Sequence, residues 1–279
     1  MLAAGSQDNA REIFTKASSA REFLVAFPSY TDPSQTDTLP KAEISGSEYK
    51  LTGRLEMLVM GNMAKYAIIP ARTGKGPDYT FFLVELSAQG VEKSDPIFTI
   101  GLHACPAVDI NLQGVMAKLI GAENAGNSYF EKASLTMNVA AAAMNAGIMR
   151  GSFNEALTYY RERFQGGRAI ADWSEVSMIL AGMSIKADVA DMCVVQSCLW
   201  LTKTGENGGH QHIISSSIHI HELACELVTD GIQILGGYGY MKDYGQEKRF
   251  RDARMVQAVL GPAPMKKLAM IRETLQSMA

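Results

Sequence analysis

The chain lacks the compositional features that most often identify a protein's partners. It has little net charge. Lys and Arg total 26 against 29 Asp and Glu, leaving −3 over 279 residues. Such a balance gives neither nucleic acid nor an anionic membrane an electrostatic pull. No apolar run reaches the ~18 residues needed to span a bilayer, and the start from Met1 to Arg11 has no basic stretch ahead of an apolar core. No membrane association and a cytoplasmic location are therefore expected. Cysteine is scarce: Cys105, Cys193, Cys198 and Cys225 are the only four. They form no Cys-x-x-Cys pair, which argues against a zinc knuckle or a disulfide framework. All four are expected to be small buried hydrophobes.

A metal-ligand set is also missing. In His210-Gln211-His212 and His219-Ile220-His221 the paired histidines are two apart, and residues two apart on a helix do not share a face. His221 and Cys225, four apart, do share one, but two ligands fall short of a structural site. No metal is expected. There is no internal repeat and no low-complexity segment.

What is present is an ordinary globular composition, 47% apolar and 20% charged, long enough for one large domain or two smaller ones. The pattern changes near residue 125. Before it, Tyr49–Leu51, Met57–Met60, Tyr66–Ile69 and Tyr79–Leu86 read as strands, punctuated by Gly46, Gly53, Gly61 and Gly74-Lys75-Gly76-Pro77. Strands at that spacing predict an antiparallel sandwich or barrel, not βαβ units. After it, Leu135, Val139, Ala142, Ala146, Met149, Phe153, Leu157 and Tyr160 recur at helical steps, as do Val176, Leu180, Met183, Ala187, Ala190 and Val194. Breaks fall at Gly166-Gly167, Gly205–Gly209 and Gly236–Gly239, and Pro262 suits the first turn of a last helix. The expected class is α+β: an antiparallel β-domain over 20–124 and an antiparallel four-helix bundle over 125–279, with 1–19 a linker or the remnant of another domain.

The most specific stretch is Gln233-Ile234-Leu235-Gly236-Gly237-Tyr238-Gly239-Tyr240, followed by Arg251-Asp252-Ala253-Arg254. Paired glycines let backbone N–H groups approach an anion, and a guanidinium such as that of Arg163 matches phosphate in geometry and charge. On spacing alone Gly236–Gly239 reads equally as a helix stop and Arg163 as a cation at a helix C-terminus. Asp252 reads as an ion-pair group beside Arg251 and Arg254. Tyr159-Tyr160 and Tyr238–Tyr244 read as core or interface aromatics.

In order along the chain, several pieces resemble the acyl-CoA dehydrogenase flavoproteins. Gly5-Ser6-Gln7 resembles the close of that family's first, helical domain. Thr31-Asp32-Pro33 with Asp37 resembles its Thr-Glu-Pro loop, and Phe82-Leu83-Val84-Glu85 a strand of its middle domain. Leu119-Ile120-Gly121 resembles the lead into its bundle. Arg161 to Arg168 resembles its Arg-x-x-Phe-Gly-Lys turn, with Gly166 in place of the Phe. The order implies a middle β-domain and a C-terminal bundle, with the N-terminal helical domain missing.

The resemblance also implies roles. Arg163, Gln233, Gly236 and Gly237 would grip the ADP part of FAD, shared at a subunit interface. The positions that would touch the flavin depart from the pattern. Trp-Ile-Thr becomes Met57-Leu58-Val59, and Val59 lacks the Thr hydroxyl. Asn138 stands for an arginine. The two base positions read Leu260 and Met137, which take no proton, so no catalytic residue is assigned.

Two readings follow. One is a subunit, non-catalytic alone, that completes the FAD site of a homologous acyl-CoA dehydrogenase partner or of a second copy. The other is an independent FAD-dependent, acyl-CoA-processing oxidoreductase with an unrecognised base, for which Glu56, Asp172, Glu175 and Glu247 are unranked candidates. A scaffold that binds no nucleotide is a weaker third.

Overall fold

The computed structural model describes residues 24–35, 38–74, 76–202 and 209–277. The chain forms two compact units. Of the described residues, one comprises those up to Thr99 together with His103–Ser134, and the other Ile100–Leu102 with those from Leu135 onward. Gly5-Ser6-Gln7, Asp37 and the 1–19 segment lie outside the described residues.

The first unit is built on one sheet in the order β1-β4-β5-β7-β3-β2, with β6 also paired to β7. Its strands are β1 (Val25–Ala26), β2 (Lys41–Ser45), β3 (Glu48–Val59), β4 (Tyr66–Ala71), β5 (Thr80–Glu85), β6 (Val91–Lys93) and β7 (Ala107–Ile120). The paired strands are antiparallel except for the two-residue β1–β4 pair, and a lone parallel bridge joins Lys41 to Arg72, so the sheet is mixed rather than wholly antiparallel. Leu51 of β3, Phe81 and Phe82 of β5, and Tyr79 just ahead of β5 are fully buried, the two phenylalanines on opposite faces.

Tyr49–Leu51 and Met57–Met60 prove to be two ends of the single strand β3. A bulge between Leu55 and Leu58 separates them. There Met57 has φ 55, and its N–H donates to Asp109 Oδ1 at 3.1 Å instead of to the ladder. Gly53 does not end a strand. It lies inside β3 at φ +138, where an added Cβ would sit 2.9 Å from Pro40 Cα, so glycine is required by close approach.

The second unit is helical. It contains most of α1 (Gly126–Glu162), then α2 (Ser174–Thr202), α3 (Gly209–Leu235), α4 (Gln246–Val256) and α5 (Ala263–Ser277). A hairpin of β8 (Phe164–Gln165) and β9 (Arg168–Ala169) links α1 to α2. Five helices therefore stand among the described residues, and the last, α5, follows Gly261 and Pro262 where the sequence places a final helix. Pro262 lies just before α5 rather than in its first turn, and its carbonyl accepts from the N–H groups of Met265 and Lys266 at 3.0 and 3.3 Å.

The two helical periodicities meet in one core. Ala146 and Met149 of α1 pack with Met183 and Ala187 of α2 and with Ala224 and Leu227 of α3. Replacing the fully buried Met149 or Met183 by Ala would cost about 2–5 kcal/mol. The cysteine expectation is corrected: Cys225 is buried, Cys193 half-buried, and Cys105 and Cys198 exposed. Their short side chains fell at positions facing outward on this chain.

Candidate functional site

Arg163 follows the last residue of α1, and its N–H continues the helix with a bond to Tyr159 O at 2.9 Å. Its carbonyl accepts from Ile170 N–H at 2.9 Å, which ties it to the far side of the β8–β9 hairpin. Gln233 lies in the last turn of α3. Gly236 takes φ 58 directly after the helix, a conformation L side chains rarely adopt, and starts the short 3₁₀ turn Gly236–Tyr240. No atom lies within 4 Å of a Cβ built on Gly236 or Gly237, so their backbone is open to approach.

Arg163, Gln233, Gly236 and Gly237 all line one cavity of about 750 Å³ in the helical unit, with Trp173 and Tyr238 in its wall. The described lining contains no carboxylate, and Arg163 is its one formal charge. The guanidinium lies 5.2 Å from the Tyr238 ring centroid and 5.9 Å from that of Tyr159. One nitrogen donates to Gln165 Oε1 at 3.3 Å. Its Nε is buried without a hydrogen-bond partner. An unmet buried donor costs about 1–3 kcal/mol, more when charged. Burial pushes the Tyr159 phenol up, the nearby Arg163 opposing it, so the ring stays neutral.

Tyr159, Tyr238 and Tyr244 form one aromatic cluster, with centroids 5.4–6.2 Å apart. Two of these rings wall the cavity, a role that sequence reading missed. A smaller cleft of about 330 Å³ reaches Tyr159 and Arg163 together with Glu155 and Glu162. Glu155 is already engaged by Arg249 and by Gly245 N–H.

The departed positions have different surroundings. Leu260 is buried at φ 63. Met137 is half-buried and Asn138 buried on α1. Behind them is a buried polar cluster that sequence reading did not find. His221 contacts Asn145 Nδ2 through Nδ1 at 2.7 Å and Ser217 Oγ through Nε2 at 3.2 Å. Burial, reinforced by Lys266, pulls His221 down to about 3. Burial also lowers Lys266, to about 8, and its ammonium donates to Val259 O beside Leu260. His221 and Cys225 are not joined by a metal set; among the described residues no group of three or more His, Cys, Asp or Glu is placed to hold a metal ion.

None of the candidate carboxylates reaches the cavity wall. Glu56 is exposed and lies 3.4 Å from Arg54. Asp172 and Glu175 are exposed. Glu247 is bound by Arg251 at 2.7 Å, which holds its carboxyl below the usual range. Asp252 is an ion-pair group, but its cation is Lys248 rather than either arginine beside it. Its other oxygen accepts from Leu102 N–H at 2.7 Å, fastening residues 100–102 to the helical unit.

The family description "Acyl-CoA dehydrogenase, C-terminal domain" matches residues 124–275, more than half of the chain. The caffeyl-CoA reductase-Etf complex subunit CarC of Acetobacterium woodii is 27% identical over 229 residues, covering 80% of this chain and 60% of that protein. The chain spans 60–64% of the length of this and five further curated relatives. Among solved structures, a putative acyl-CoA dehydrogenase of Mycobacterium smegmatis superposes with TM-score 0.90 at 20% identity, covering 98% of this chain and 74% of that one. PigA in its FAD complex superposes with TM-score 0.88 at 20% identity, covering 98% and 73%. No helix among the described residues is long and apolar enough to cross a membrane. The fold, the order of motifs and the match over α1 to α5 agree: the chain belongs to the acyl-CoA dehydrogenase family.

Proposed function

We propose that this chain is a flavoprotein subunit that holds the ADP part of FAD and does not abstract the substrate's α-proton itself. The observation that carries the reading is the cavity at the end of α1 and α3. Residues from two places far apart in sequence, Arg163 on one side and Gln233, Gly236 and Gly237 on the other, line it together. The cavity is cationic, free of carboxylates, and holds a buried guanidinium N–H without a partner. A pyrophosphate would satisfy that donor with charge-assisted bonds, and the open glycine backbone would add N–H groups. These residues fit the anionic end of the cofactor.

FAD, when bound, supplies a two-electron acceptor. The chain's own residues bind and orient its ADP end. Leu260 and Met137 supply no carboxylate, so the catalytic base would come from a partner of the same fold, a homologous acyl-CoA dehydrogenase or a second copy. The face for such a partner is on α2, where Met178, Ile185, Met192 and Leu199 are exposed at seven-residue intervals. An apolar stripe of that spacing suits burial in an interface. The test adds a panel of acyl-CoA thioesters to the FAD-loaded chain alone and follows flavin absorbance. Absorbance that holds steady, and bleaches only when the partner is added, agrees with the reading. Rapid bleaching by the chain alone overturns it.

One observation favours independent turnover. The Lys266 amine, lowered to about 8, lies next to Leu260. A neutral amine near the operating pH is a competent general base. If the chain alone bleaches flavin and Lys266→Met abolishes this, the independent-enzyme reading replaces the first.

A further inference from the structure

Lys266 lies half-buried in the first turn of α5. Its surroundings set it apart from Lys186, Lys248 and Lys267, each of which meets a carboxylate. Among the described residues no carboxylate lies within ion-pair distance of Lys266. Its ammonium donates instead to the Val259 carbonyl, next to the buried Leu260, whose φ is 63. α5 opens with no acidic residue in its first turn, and the positive end of a helix dipole disfavours a cation there. The charged form is therefore short of solvent, of a counter-ion and of a favourable field. The titratable group that faces it from α3 is His221, itself uncharged near neutral pH. Glu222, also on α3, is taken by Lys267. Burial accordingly lowers the Lys266 amine to about 8. A neutral amine has two N–H groups and a lone pair. With one N–H on Val259 O, the lone pair stays unengaged, and a desolvated lysine with a free lone pair is a nucleophile.

We propose that Lys266 is a covalent acylation site, whose amine takes the acyl group of a thioester. Thioesters are the activated acyl class that persists in water yet yields to an uncharged amine. The nitrogen lone pair attacks the thioester carbonyl carbon. The C–N bond forms as the C–S bond breaks, and the thiol leaves with the proton that the nitrogen loses. No oxidant, reductant or third reactant takes part. The amide that results keeps one N–H, which still donates to Val259 O, and the positive charge that acts on His221 is gone. This use of the amine differs from proton abstraction because it leaves a mark on the chain. The site lies outside the lining of the Arg163 cavity and stands whether or not a nucleotide is held there.

Lys267 is the internal control. It is the next residue of the same helical turn, half exposed, and engaged by Glu222. The full chain is incubated with butyryl-CoA at about pH 7.5 and digested, and mass spectrometry follows the butyryl mark at each lysine over time. At that pH roughly a quarter of an amine titrating near 8 is neutral, against about a thousandth of an ordinary lysine. Burial slows the approach of the thioester, so Lys266 is expected to gain the mark about tenfold faster than Lys267. In concentrated urea the two should react at equal rates. Lys266→Arg keeps the charge and takes no acyl group. It should remove the fast component seen on the intact chain and leave the slow labelling of the other lysines as it was.

Equal rates at Lys266 and Lys267 in the folded chain overturn the inference. So does a preference for Lys266 that persists in urea, since local sequence rather than the fold would then set it. A fast component that survives Lys266→Arg places the reactive amine elsewhere and overturns it as well.

Discussion

Two places in the helical unit, the cavity at Arg163 and the interior behind Leu260, differ in what their polar groups face. At Arg163 a buried Nε is unmatched, the surrounding backbone is open glycine and the space amounts to about 750 Å³. Behind Leu260 several polar groups contact one another. His221 is flanked on both ring nitrogens by Asn145 and Ser217, and Lys266 is turned onto a backbone carbonyl. Under the proposed function, the unmet Arg163 donor and the open glycine backbone serve the anionic end of a ligand. Asn145 Oδ1 is likewise buried without a hydrogen-bond partner, but it sits beside the paired His221 and outside the lining of the Arg163 cavity.

The largest effect expected from this comparison is an acid weakness at His221. Its folded value, about 3, lies below the ordinary 6.5. The unfolded chain therefore takes up the proton first, and the stability this neutral histidine contributes is complete above pH 6.5 and lost as pH falls toward 3. The loss between pH 6.5 and pH 4 should be about 3 kcal/mol at about 1.4 kcal/mol per unit. Urea unfolding at stepped pH would show it, and His221→Gln should flatten that dependence. An equal slope in both proteins would mean that His221 is not held neutral by the core.

Next in size, Arg163→Ala should weaken FAD retention by about 1.5–3 kcal/mol, the worth of a hydrogen bond to a charged group. Gel filtration followed by the ratio of flavin to protein absorbance measures it. Arg163→Lys keeps the charge but not the planar fork and should lose less, about 1 kcal/mol. A lysine variant as weak as the alanine variant would show that geometry, not charge, dominates at this position.

The fold was readable where a single period ran long. The positions spaced along α1 and α2 became the shared core because a helix with a continuous apolar stripe has one way to bury it. The 14-residue strand β7 was missed although it alternates buried Ile110 and Leu112 with exposed Asn111 and Gln113. Gly114, at φ 65, sits where the β3 register shifts and interrupts the alternation that would have revealed it. Gly53 misled in the reverse sense, as a glycine demanded by a neighbour rather than by a turn. In the site, Arg163 and the Gln233–Gly237 run were legible because a motif marks them. Trp173, Tyr159 and Tyr238 were not, because no motif marks the first two and only the fold brings Tyr238 to the end of α1. The pairing of His221 with Asn145, 76 positions apart, left no local signal at all.

The contrast is tested most directly by equilibrium dialysis of ADP against the unaltered chain, Arg163→Ala and Leu260→Glu at equal concentration. The account predicts that Arg163→Ala weakens ADP about tenfold or more, as expected for a charge-assisted contact, while folded Leu260→Glu binds as the unaltered chain does. Equal affinity in the unaltered chain and Arg163→Ala, or a loss confined to Leu260→Glu, would contradict it.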